Sequence, residues 1–80
     1  MKNRSTIKRV TEPVMLHMIQ NRLDGKYICE KSGGVVVAAT IKRNGHMRVA
    51  EFRTALDAAA WLSGRDTHDL FGNPITCGFA

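Results

Sequence analysis

The chain has no apolar run near the roughly 20 residues needed to cross a bilayer, and its basic N-terminus lacks the apolar stretch of a signal peptide. A soluble, cytoplasmic protein with no membrane partner is expected. Cysteine is scarce. Cys29 and Cys77 lie far apart, whereas a disulfide-stapled small domain usually carries four or more cysteines, so two reduced, structural thiols are expected. Metal-ligand spacing is missing too. His17, Cys29, His46, His68 and Cys77 form no C-x-x-C or H-x-x-x-H pair, and a tetrahedral zinc site has no local nucleus. No phosphate loop or G-x-S-x-G elbow is present. Ser32 beside Gly33-Gly34 has no partner base in sequence, and His68 between Asp66 and Asp69 reads as a solvated loop. At 80 residues there is room for one domain and a small core, and little for a closed active-site cavity. The expectation is a non-enzymatic binding protein with no cofactor, no metal and no small-molecule substrate.

Acid is absent from two stretches in particular. Residues 1–10 carry Lys2, Arg4, Lys8 and Arg9, and residues 40–48 carry Lys42, Arg43 and Arg48, with no acid in either. The intervening segments balance, and the tail 66–80 holds Asp66 and Asp69. The formal net charge of +5 thus resides in a basic arm and a basic hairpin. Clustered positive charge suits a phosphate backbone or an acidic protein surface.

Along the chain, residues 1–10 show no period and read as a basic, flexible arm or a short extended segment. The single domain is placed at 11–80. Thr11-Glu12-Pro13 starts a helix that puts Met15, Ile19 and Leu23 on one stripe, and Asp24-Gly25 is expected to stop it. Lys26 to Lys31 is a short strand and Ser32-Gly33-Gly34 a turn. The β-branched run Val35 to Lys42 reads as a central strand covered on both faces. Asn44-Gly45 is a strong hairpin signal, returning through His46 to Phe52. There His46, Arg48, Ala50 and Phe52 face one way and Met47, Val49 and Glu51 the other. Thr54 caps a second helix, with Asp57 at its third position, that ends at Gly64. Its wheel suggests a buried face of Leu56, Ala59, Ala60 and Ser63, with Ala55 and Leu62 beside it, while Trp61, off that face, is expected to find cover. Leu70, Phe71, Ile75 and Phe79 in the turn-rich tail can fold back over the sheet or over Trp61. The expected architecture is a small α+β domain of order α-β-β-β-α, with a three-stranded antiparallel meander and an irregular C-terminal tail.

Within this pattern, Tyr27 to Trp61 resembles the ethylene-response-factor type of DNA-binding domain, found also in phage integrases and homing endonucleases. The resemblance rests on the Gly33-Gly34-led strand Val35 to Ile41, the basic hairpin Lys42-Arg43-Asn44-Gly45, the step Phe52-Arg53-Thr54, and the alanine-rich helix with Trp61. It covers under half the chain, the aromatic often found on the second strand is replaced by valines, and the basic face is thin. The resemblance implies a sheet lying in the major groove with Arg or Lys on guanine edges and the arm on phosphates. The candidate contacts are Lys2, Arg4, Lys8, Arg9, Lys31, Lys42, Arg43, Asn44, His46 and Arg48. The same element order resembles a double-stranded-RNA-binding domain, but Thr54-Ala55-Leu56-Asp57 stands where that family has its lysine cluster. A second class of function follows from size and charge by analogy: a phage- or mobile-element-encoded inhibitor, anti-CRISPR-like, that binds an acidic or nucleic-acid-binding host protein. A third is a homodimer formed through an exposed Val/Met face.

Overall fold

The structure, a computed structural model, describes residues 6–76. Its elements are β1 (Ile7–Arg9), α1 (Glu12–Gln20), β2 (Gly25–Glu30), β3 (Val36–Ile41), β4 (Met47–Phe52), α2 (Ala55–Leu62), β5 (Thr67–His68) and β6 (Pro74–Ile75). The first four strands form one mixed sheet in the order β1-β2-β3-β4, and β5 and β6 form a separate two-stranded ribbon. The α+β class holds, and the expected meander is β2-β3-β4, antiparallel throughout.

The arm and the tail both depart in part from expectation. Residues 7–9 are not flexible but take the alternative, extended form. They pair in parallel with β2, Ile7 opposite Lys26 and Arg9 opposite Ile28, and the Val10 amide donates to the Ile28 carbonyl at 2.9 Å. Parallel neighbours need a crossover, and α1 supplies it, carrying the chain back to the end where β1 began. Ile7 holds the strand down by packing against the core beneath α2. A three-residue strand with one apolar side chain leaves no period to read. Nor is the tail wholly irregular. Thr67 and His68 pair with Ile75 and Pro74, the Leu70 amide donates to the Glu51 carbonyl at the β4 edge, 2.8 Å, and Trp61 Nε1 donates to the Thr76 carbonyl, 3.1 Å. The tail therefore closes over Trp61 through Ile75 and Thr76, while Phe71 is exposed and Phe79 lies outside the described residues.

β3 is sandwiched, and all six of its residues are buried. Val36 and Ala38 join Ile28, Phe52, Ala58, Trp61 and Leu62 under α2. Val37, Ala39 and Ile41 join Met15, Tyr27 and Cys29 under α1, flanked by Met18 and Ile19. Period-two alternation sends successive side chains to opposite faces, so an unbroken apolar run is what a strand between two helices requires. Met15, Val36 and Val37 are buried in this core, whereas Val14 and Val49 are exposed.

The wheel of α2 is turned to the opposite side from the one expected. Ala58, Trp61 and Leu62 are buried, and Leu56 is 81% exposed. The spacing i, i+3, i+4 of those three is itself a helical stripe, and it carries the largest apolar side chain. Trp61 packs on Phe52 with ring centroids 5.5 Å apart. The Thr54 cap forms as expected: its hydroxyl oxygen accepts from the Asp57 amide at 3.1 Å. Instead of reaching back to the Thr54 amide, the Asp57 carboxylate accepts from the hydroxyls of Thr54 and Thr67, each at 3.0 Å, which ties α2 to β5.

α1 ends earlier than Asp24-Gly25. Arg22 takes a left-handed φ of +50°, its amide donates to Ile19 and the Leu23 amide to Met18. This is a Schellman-type stop, with arginine where glycine is usual. Leu23 falls outside the helix and is 41% exposed.

Candidate nucleic-acid interface

Because β2 and β3 are antiparallel with Gly25 opposite Ile41, the start of β2 and the β3–β4 hairpin share one end of the sheet. The hairpin is built by the Lys42 amide donating to His46, 2.7 Å, and the Gly45 amide donating to Lys42, 2.8 Å. Gly45 sits at φ +94°, a conformation that side chains with a Cβ rarely adopt. The Asn44 carboxamide oxygen accepts from the His46 amide at 3.0 Å, so Asn44 shapes the turn it sits in.

This end gathers more positive charge than the hairpin sequence alone carries. Arg22 Nη1 donates to the Gly45 carbonyl at 2.9 Å, latching the end of α1 to the hairpin and adding its guanidinium there. Lys26 opens β2 beside it. Asp24, Gly25, Lys26, Thr40, Ile41, Lys42, Arg43 and Asn44 line an open groove of about 600 Å³. Asp24 is the one acid among them. Arg22 and Lys26 are cations that sequence reading missed. Locally, Lys26 reads as a plain strand residue and Arg22 as part of a helix; only the antiparallel register and the Schellman turn bring them to the hairpin.

The remaining expected contacts disperse. Lys31 lies beyond Glu30, beside the β2–β3 turn at the opposite end, its amide donating to Val35 at 2.8 Å. Lys8 and Arg9 are exposed on edge strand β1, where charge discourages sheet-to-sheet pairing. Arg9 stands 4.0 Å from Glu30. Arg48 lies on the α2 face of β4, half-buried, its guanidinium carbon 5.8 Å from the Trp61 ring centroid, within reach of a cation–π contact. Lys42, Arg43, Asn44 and His46 are exposed at the hairpin. Lys2 and Arg4 lie outside the described residues.

Away from the hairpin end the sheet offers no open face over β2 and β3, since α1 covers one side and α2 the other. The major-groove placement implied by the resemblance needs a bare sheet, and the N-terminal helix occupies it. Only the outer face of β4 stays accessible, with Val49 48% exposed.

No group of three His, Cys, Asp or Glu among the described residues is placed to hold a metal. Cys29 is free and buried; burial first, then the charge of Glu12, pushes its thiol above the usual range, away from the thiolate that reacts. Cys77 lies outside the described residues. No described helix is long and apolar enough to cross a membrane. No protein-family model, curated protein or solved structure matches the chain.

Proposed function

We propose that this is a non-enzymatic DNA-binding protein that grips the phosphate backbone with the hairpin end of its sheet. The observation that carries the reading is the convergence of Lys26, Lys42 and Arg43 along one groove whose single described acid is Asp24, with Arg22 latched to Gly45 of the same hairpin. Like charges held together repel, and a polyanion relieves that repulsion while releasing its own counterions. Among the described residues the groove has no aromatic lining, so these offer no platform for stacking bases. Contact is therefore with phosphates, which position a protein without reading sequence. With both faces of β2 and β3 covered away from the groove, the hairpin end and its flanks are the parts that approach the duplex.

Fluorescence anisotropy on a labelled duplex across a salt series tests this. Each phosphate contact contributes about −0.9 to the slope of log K against log salt. Lys42→Ala and Arg43→Ala should each flatten the slope by about that amount, and Lys31→Ala, at the opposite end, should leave it unchanged. Absence of binding to any duplex at low salt would refute the proposal.

One observation favours a second reading, an inhibitor docking on a host protein. Phe71 is 76% exposed, yet its turn is rigid: Asp69 Oδ1 accepts from the Phe71 and Asn73 amides, each at 2.9 Å. An aromatic ring presented on a fixed turn suits a partner's pocket. A complex recovered from nuclease-treated host lysate and lost with Phe71→Ala supports this reading over the first.

A further inference from the structure

One polar residue interrupts the buried core. Thr40 is 7% exposed and is the only buried polar residue among those described. Its hydroxyl makes no hydrogen bond to any described residue, although a polar side chain in the interior normally finds a partner. No fully enclosed side-chain oxygen or nitrogen in the described structure lacks a partner, so this hydroxyl is not sealed in. It opens onto the groove that Thr40 lines.

Its neighbours give the opening a chemistry. Across the sheet, Thr40 is paired with Lys26 on β2 and Arg48 on β4. Cross-strand partners share a face, so the hydroxyl stands between two cations on the α2 side, both half-buried. Neither has a carboxylate within 4.0 Å among the described residues. Arg48 is steadied over Trp61. Lys42 and Arg43 rise from the hairpin at the mouth of the same groove. A hydroxyl donor set between half-buried cations, with two more cations at the rim, matches an oxyanion carrying several acceptor oxygens.

We infer that this row seats one phosphate group of the nucleic-acid backbone: the Thr40 hydroxyl donates to a phosphate oxygen, Lys26 and Arg48 flank it, and Lys42 and Arg43 close the rim. The inference rests on the nucleic-acid reading above and narrows it, because it makes one phosphate, at a fixed place, more tightly held than the rest.

Two titrations separate the inference from the reading it rests on. In the first, amide chemical shifts are followed by NMR as inorganic phosphate is added, against chloride at equal ionic strength. The amides of Lys26, Thr40 and Ile41 should move with phosphate and not with chloride, and Thr40→Val should abolish the movement. Valine keeps the β-branched shape in a central strand, so the fold is preserved; Thr40→Ser, which keeps the hydroxyl, should retain the response. In the second, duplex binding is measured by anisotropy. Thr40→Val should weaken it by about tenfold or more, as expected when one hydrogen bond to a charged group is lost, with the salt slope unchanged because no cation is removed. If the duplex binds but Thr40→Val matches wild type and phosphate moves no amide near Thr40, the seat is overturned while the nucleic-acid reading survives. If phosphate seats at Thr40 but no duplex binds, the nucleic-acid reading fails, and with it the assignment to a backbone phosphate; the ligand is then a free phosphate compound.

Discussion

Trp61→Phe is the sharpest test of how this small core is held. The indole is fully buried, stacks obliquely on Phe52 at 46°, donates to the Thr76 carbonyl and lies beneath Arg48. Phenylalanine keeps the ring contact but loses the N–H donor, a loss of about 1 kcal/mol. The second ring leaves a partial cavity, costing roughly another 1 kcal/mol or more, and the weaker quadrupole loses about 0.5 kcal/mol of the Arg48 contact. The total, about 2.5 kcal/mol, is a large share of the roughly 4–12 kcal/mol typical of a domain this size. It should lower the melting temperature by about 10–20 °C. The assay is far-UV circular dichroism with heat and with urea. The companion variant is Leu56→Glu on the opposite side of α2, where the side chain is 81% exposed and the change should stay within about 0.5 kcal/mol. A loss of under about 3 °C for Trp61→Phe, or an equal loss for Leu56→Glu, would refute the orientation of α2 and the role of the tail in enclosing the indole.

Thr54→Ala removes the cap on the Asp57 amide and one donor to its carboxylate; it should cost about 1–2 kcal/mol, read from the urea midpoint with an unchanged slope. Tyr27 makes stability sensitive to alkali. Its hydroxyl donates to the Leu23 and Asp24 carbonyls, both 3.0 Å away, and burial first, then Asp24, raises its pKa above the usual 10.0. The folded state holds this proton more tightly than the unfolded chain, so the contribution is full below about pH 10 and is lost as pH rises toward the folded value. Tyr27→Phe should reduce stability by about 1 kcal/mol at neutral pH and flatten the decline above pH 10; an identical alkaline decline in both proteins would count against the buried phenol.

Much of the fold could be read residue by residue. The run Val36 to Ile41 announced a strand covered on both sides, because only a doubly buried strand abandons alternation. Asn44-Gly45 fixed the hairpin, and the parity of β4 grouped Arg48, Ala50 and Phe52 on one face, which the structure sets against α2. Thr54 and Asp57 marked the second helix by local hydrogen bonding alone. Other features have no local signal. β1 carries its information in its partner, Ile28 and Lys26, not in Ile7-Lys8-Arg9. The helix wheel of α2 counted alanines and underweighted one indole. Arg22 ended a helix in a conformation that favours glycine, held there by a carbonyl 23 residues away.

The candidate site divides in the same way. Sequence by itself determined that the hairpin is basic, since Lys42 and Arg43 flank a turn whose geometry is set by its own residues. It also determined the α+β class, because hydrophobic period and turn chemistry are local properties. Only the tertiary structure decided that Arg22 and Lys26 join the hairpin, that Lys31 does not, and that α1 covers the sheet face expected to be bare. Those are matters of register and crossover, which bring together residues far apart in the chain. A net charge is counted along a sequence; whether it forms a site depends on which strand ends meet.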